Sequence, residues 1–169
     1  MLDKKRGSLG FSLIEVIICL ALISILSVGA FSLSGHIKYA NVKKSVKQLN
    51  QKIETARMYS MSKVWKWRLY IYKQNDGVYY YLTDSETLQR SSGVKVGGNH
   101  IRLFYTVKGG SEVEVLSNDD VVQIQFAKST GSFIAQDGTE IYETIRLADE
   151  ETKGYTIRLI EKTGKHFVE

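Results

Sequence analysis

The chain has 169 residues, 43% of them hydrophobic and 24% charged, which is a globular composition with length for one modest core and argues against a multidomain enzyme. Its one cysteine, Cys19, excludes an intrachain disulfide and a cysteine cluster for a metal. The formal charge of +5 is uneven, because residues 36–73 carry ten Lys or Arg and one acid, Glu54. This basic segment favours a solvated helix face over a contact with a polyanion or a membrane surface.

The first predicted element is an apolar helix at residues 11–33. These 23 mostly apolar residues are long enough, at about 1.5 Å per residue, to cross a bilayer core of about 30 Å. Lys4, Lys5 and Arg6 precede the run, and basic residues tend to stay in the cytoplasm. We therefore predict a single membrane span with the N-terminus inside and the rest of the chain outside. A secretory signal cleaved near Ala30 is the alternative.

Glu15 lies inside this apolar run, where an unpaired carboxylate costs about 2.5–3.5 kcal/mol. The run contains no basic residue. A partner for the carboxylate must therefore come from another chain or from a newly made amino terminus. A cut after Gly10 would create such an ammonium on Phe11, and an offset neighbouring helix would bring that amine to Glu15.

The stretch Gly10-Phe11-Ser12-Leu13-Ile14-Glu15-Val16, after a short basic leader, resembles the processing site of type IV prepilins and type II secretion pseudopilins. The resemblance implies that residues 1–10 are a leader, that prepilin peptidase cuts between Gly10 and Phe11, and that Phe11 is N-methylated. It also implies that Glu15 supports extraction from the membrane and filament assembly.

The same resemblance implies partners and a location. The partners are other pilin or pseudopilin subunits, prepilin peptidase and an inner-membrane assembly platform. The protein is expected first as a single-pass protein of the cytoplasmic (inner) membrane, and then in an extracellular or periplasmic filament.

Beyond the apolar run, a stripe of apolar residues at helical spacing predicts that the first helix continues as an amphipathic helix. The whole helix is predicted to cover residues 11–62. Its apolar members recur at helical spacing: Val42, Val46, Leu49, Ile53 and Ala56. We expect this face to pack under a sheet, with contact to a partner helix as the alternative.

Residues 63–169 are predicted to form a β-rich globular body. Alternation of side chains begins at Trp65 and leads into an Asn75-Asp76-Gly77 turn, which is typical of a β-hairpin. Further strands are predicted at Ile101–Val107, Val113–Leu116, Val121–Ala127, Phe133–Ala135, Ile141–Leu147, Tyr155–Glu161 and His166–Val168. The predicted fold class is α+β, with a long N-terminal helix packed on an antiparallel sheet or sandwich.

This order of elements, with its ending YTIRLIEKTGKHFVE, is similar to the H-type minor pseudopilins and FimT-like minor pilins. It implies a structural subunit of a type IV pilus or of a type II secretion-like pseudopilus. The alternative is a DNA-binding minor pilin for DNA uptake in competence, with Arg158, Lys162 and Lys165 as the phosphate contacts and His166 as a further candidate.

No enzyme, cofactor or metal site is predicted. The three histidines are far apart in sequence and lack metal-ligand spacing: His36, His100 and His166. Asp119 and Asp120 with Asp137 lack the alternating ligand spacing of a calcium loop. The glycines at 93, 97 and 98 lack the strand–turn–helix context of a phosphate loop, and are interpreted as a bend in a loop.

Overall fold

The computed structural model describes residues 12–63, 66–116, 120–135, 141–149 and 154–169, with no side-chain description for residue 26 or residues 28–38. The predicted leader and its junction at Gly10 and Phe11 lie outside the described residues, as do Asp119 and Asp137. The chain forms two compact units, Met1–Ile37 and Lys38–Glu169.

Helix α1 runs from Leu13 to Ser62 and contributes to both units. Within the described ranges, no helix is both long and apolar enough to cross a bilayer. The predicted span at 11–33 extends into residues without described side chains, and it stays a prediction.

The segment of α1 in the second unit packs through the predicted apolar stripe. All five stripe residues are fully buried: Val42, Val46, Leu49, Ile53 and Ala56. They join one hydrophobic core with residues from the strands. The prediction that this face packs against the body is therefore confirmed. Full burial of a residue such as Ile53 contributes roughly 1.5–3 kcal/mol to folding.

Within the residues that the structure describes, nine strands follow the helix: β1 Arg68–Gln74, β2 Gly77–Thr83, β3 Val94–Gly98, β4 Ile101–Val107, β5 Glu112–Glu114, β6 Val121–Gln125, β7 Tyr142–Asp149, β8 Tyr155–Ile160 and β9 Lys165–Val168. They form two antiparallel sheets, ordered β3-β2-β1-β6 and β5-β4-β7-β8-β9. The α+β class is confirmed, and β4 has the predicted bounds.

Strand β3 corrects the interpretation of residues 93–98 as a loop. Gly97 and Gly98 belong to β3, which pairs with β2. A Cβ on Gly97 would lie 2.7 Å from Ile101 Cδ1, and the Ser45 hydroxyl of α1 donates to the Val96 carbonyl at 2.7 Å. A Cβ on Gly97 would also lie 3.3 Å from the Ser45 hydroxyl oxygen, so Gly97 permits the close approach of β3 to Ile101 and to α1.

The segment Phe133–Ala135 also differs from its prediction as a strand. Within the described residues, Phe133 forms an isolated bridge with Phe126 and is not part of a ladder. The two rings pack with their centroids 4.6 Å apart. This packing explains why the segment is apolar although it does not pair as a strand.

The first five residues of β1 are buried on both faces of the strand, although their alternation is typical of a strand with one exposed face. Arg68, Tyr70 and Tyr72 are all buried. Residues 84–93, which we call the strap, supply their partners. The Tyr70 hydroxyl donates to the Glu86 carbonyl at 2.8 Å, and the Tyr72 hydroxyl donates to the Arg90 carbonyl at 3.0 Å. The strap therefore seals this face of the first sheet.

Candidate functional site

The described part of the N-terminal motif is the start of helix α1. The backbone N–H of Glu15 donates to the Ser12 carbonyl at 3.1 Å and lies 3.3 Å from the Ser12 hydroxyl oxygen. Ser12 thus caps the helix, and Ser12-x-x-Glu15 has the spacing of a capping box. Glu15 lies in the first turn and is exposed, where a negative charge also favours the helix dipole.

The helix beyond this cap has an apolar exterior. Its large exposed side chains have exposed fractions between 44% and 80%: Leu13, Ile14, Val16, Ile17, Ile18, Leu20, Leu22, Ile23 and Ile25. The hydroxyls of Ser24 and Ser27 donate back to the carbonyls of Leu20 and Ile23, at 2.8 and 2.7 Å. Even the polar side chains here are thus satisfied within the helix. Such a surface suits contact with lipid or with other apolar helices.

The basic residues predicted to contact DNA lie around the last hairpin, β8–β9. Lys162 is in the turn and Lys165 begins β9, and both are exposed. Within the described ranges neither lysine forms an ion pair. Arg158 differs, because its Nε lies 3.1 Å from Glu169 Oε1. Lys162 and Lys165 are therefore available to a ligand, whereas the charge of Arg158 is partly neutralised by Glu169.

His166 is not part of this exposed surface. Its side chain is only 3% exposed, and Nε2 lies 3.2 Å from the Asn50 carbonyl and 3.6 Å from Glu54 Oε2. Nδ1 lies 3.2 Å from the Gly164 carbonyl. His166 therefore joins β9 to α1, and its inclusion among the phosphate contacts is wrong.

The same hairpin is fixed to α1 by Arg57, a residue that the sequence did not single out. Arg57 Nε donates to the Gly131 carbonyl at 3.2 Å, and Nη2 donates to the Thr163 carbonyl at 3.1 Å. Gly131 and Gly164 both have positive φ, of 66° and 64°. A Cβ on Gly164 would lie 1.7 Å from the Gly131 carbonyl oxygen. We call these contacts the Arg57 junction.

Metal binding has no geometric support within the described ranges. No group of three or more His, Cys, Asp or Glu side chains lies together there as metal ligands would. Cys19 is exposed on α1.

Comparison with known proteins identifies the N-terminal motif. Residues 5–31 match the family model described as the prokaryotic N-terminal methylation motif. Gly10, Phe11 and Glu15 all lie within the match. No curated protein and no solved structure matches the chain.

The chain thus carries a type IV pilin-like prepilin signal. This motif supports a type IV pilin- or pseudopilin-like substrate for prepilin peptidase. The motif implies processing by that peptidase, anchoring in the inner membrane, and assembly with other pilins.

Proposed function

We propose that this protein is a minor pilin or pseudopilin, a structural and noncatalytic subunit assembled into a type IV pilus or a type II secretion-like pseudopilus. The observation that carries the proposal is the methylation motif at residues 5–31, within which helix α1 begins at Leu13 with an apolar exterior. The β-rich unit then supplies the part of the subunit that faces water in the filament.

In this proposal, prepilin peptidase cuts between Gly10 and Phe11 and methylates the new amine of Phe11. Before assembly, residues 11–33 span the inner membrane with Lys4, Lys5 and Arg6 on the cytoplasmic side. The body then lies outside, where the inner-membrane assembly platform adds the subunit to a growing filament.

Glu15 supplies the register between subunits. Its carboxylate pairs with the Phe11 ammonium of a neighbouring helix, since both charges are costly in an apolar setting when unpaired. At an effective dielectric of about 20, a pair of unit charges 4 Å apart attracts by about 4 kcal/mol. Two neighbouring helices with a different axial offset cannot form this ion pair. The Glu15 carboxylate therefore favours one axial position of each subunit relative to its neighbour.

Replacing Gly10 by valine is expected to abolish leader removal, because a branched side chain at the cleavage junction obstructs the peptidase. The protein would be coexpressed with a prepilin peptidase, and its N-terminus would be determined by mass spectrometry. We expect methylated Phe11 as the first residue in the unsubstituted protein and the intact leader in Gly10→Val.

Gly7→Val is the matched control, since it places the same side chain elsewhere in the leader. Its N-terminus should be methylated Phe11. An unsubstituted protein whose mature N-terminus is any other residue would contradict the proposed processing.

A second candidate function is DNA binding for uptake in competence. Its support is the exposure of Lys162 and Lys165 at one hairpin, with no ion pair for either within the described ranges. Lysines placed in this way are available for phosphate contacts, whereas Arg158 is partly occupied by Glu169.

The double substitution Lys162→Ala/Lys165→Ala is expected to weaken DNA retardation in a gel-shift assay. Loss of two phosphate contacts should reduce the slope of log affinity against log salt by about two. Lys43→Ala/Lys47→Ala removes two exposed α1 lysines from the same unit and should leave the slope unchanged. If the unsubstituted protein does not retard DNA at low salt, this candidate function is excluded.

A further inference from the structure

The body has a polar cavity between α1, strand β3 of the first sheet and the start of β4 in the second sheet. Its volume is about 450 Å³, and ten residues line it. The polar side chains that matter most are Asn41, Lys44 and Gln48 from α1, with Lys95 from β3 and His100 from the turn between β3 and β4. Its volume lies within the usual range for small-molecule sites.

The charge of this cavity has one sign. Its lining residues include Lys44, Lys95 and His100 but neither a carboxylate nor an arginine. Lys95 Nζ also lies 2.9 Å from Asp76 Oδ2. Hydrogen bonds from the Tyr79 hydroxyl and from Lys95 lower the pKa of Asp76, so that carboxylate partly balances Lys95. Lys44 forms no ion pair within the described ranges.

His100 adds an unsatisfied polar atom beside the cavity. Its Nε2 is buried and has no hydrogen-bond partner in the part of the chain that the structure describes. A buried polar atom without a partner costs about 1–3 kcal/mol. A ligand atom that hydrogen-bonds to this imidazole nitrogen would recover much of that free energy.

The backbone gives the cavity a defined wall. Gly98 carries no side chain, and a Cβ there would lie 2.9 Å from Cε1 of His100. The hydrogen bond from Ser45 to the Val96 carbonyl fixes the neighbouring part of β3 against α1. The shape of the cavity therefore depends on Gly98, which is packed beside His100, and on the hydrogen bond that fixes β3 to α1.

We propose that this cavity binds a small ligand through a phosphate monoester group. Lysines act as point charges that approach a tetrahedral anion from several sides, whereas a planar carboxylate is best matched by the fork of an arginine. The charge of a phosphate monoester, about −1.5 to −2 at pH 7, complements Lys44 and Lys95, and the unpartnered His100 Nε2 is available for a hydrogen bond to it. Asn41 and Gln48 supply neutral donors. The site is independent of the role of the N-terminal motif in assembly.

Inorganic phosphate is the probe for the first test, using full-length protein in detergent micelles. The imidazole resonances of His100 would be followed by NMR during titration, with sodium chloride adjusted to keep ionic strength constant. His100→Gln identifies those resonances among the three histidines. We expect saturable shifts at His100, and much weaker shifts with acetate.

Two variants test the assignment to this cavity. Lys44→Gln should raise the apparent Kd for phosphate at least fivefold, while Lys43→Gln, the same charge change at an exposed neighbour outside the lining, should not change it. Gly98→Ala should also weaken binding by crowding the His100 ring, and circular dichroism would verify that the variants fold.

Three results would overturn the proposal. The first is the absence of saturable shifts at His100 with phosphate. The second is equal weakening by Lys43→Gln and Lys44→Gln, because that result indicates only the general positive field of α1. The third is an acetate response as strong as the phosphate response, which rules out selection for a tetrahedral anion.

Discussion

Replacing Glu15 by leucine is expected to leave cleavage after Gly10 intact and to reduce the protein in the filament at least tenfold. Leucine makes the apolar helix easier to hold in a membrane, but it leaves the Phe11 ammonium of the neighbouring subunit without a partner. An unpaired charge of this kind costs about 2.5–3.5 kcal/mol in the apolar setting. The measurement compares the protein in sheared filaments with the protein in membranes by immunoblot.

Ser12→Ala is the control that separates pairing from helix capping. The Ser12 hydroxyl caps the same first turn, and its loss costs the helix about 1 kcal/mol while the Glu15 carboxylate remains. We expect Ser12→Ala to assemble nearly normally. Equal assembly defects in Ser12→Ala and Glu15→Leu would show that Glu15 acts by stabilising the start of the helix. Normal assembly of Glu15→Leu would show that Glu15 has no role in assembly.

Replacing Gly164 by alanine is expected to destabilise the body by about 3–5 kcal/mol. Part of this loss is the strain of an alanine at φ of 64°, about 1 kcal/mol or more. The larger part is steric, because the new Cβ would lie 1.7 Å from the Gly131 carbonyl oxygen and 3.1 Å from Arg57 Nε. Relief of that contact must displace the Arg57 junction.

Gly109→Ala isolates the steric part of this prediction. Gly109 has a similar φ of 76°, but a Cβ there would meet no atom within 4 Å. We expect a loss of only about 1 kcal/mol for Gly109→Ala. Urea unfolding followed by tryptophan fluorescence would compare the two variants. Equal losses would show that backbone strain alone, and not the junction, limits stability at Gly164.

The features that the sequence predicted are those specified by neighbouring residues. The β1–β2 hairpin follows from alternation around the Asn75-Asp76-Gly77 turn, and Gln74 pairs with Gly77 across it. The stripe from Val42 to Ala56 follows from helical spacing, and it is buried. The prepilin signal is likewise local, because its residues are contiguous and the chemistry of the cut requires them together.

The features that the sequence did not predict depend on residues far apart in the chain. Arg57 contacts carbonyls 74 and 106 residues later, and no local pattern specifies either contact. The burial of Tyr70 and Tyr72 depends on a strap that follows the next strand. Strand β3 was not predicted because its glycines are typical of loops, although Gly97 here permits a close approach to Ile101 and to Ser45 of α1. The polar cavity depends on that same contact.

The Arg57 junction also has a mechanical consequence. One side chain near the end of α1 holds the turn after β6, at the margin of the first sheet, and the turn between β8 and β9 in the second. Tension along the helical segment Lys38–Ser62 is therefore divided between both sheets. The fully buried side chains from Val42 to Ala56 oppose sliding of that segment in shear. Pulling the segment out of the body must therefore break hydrogen bonds to both sheets as well as these apolar contacts.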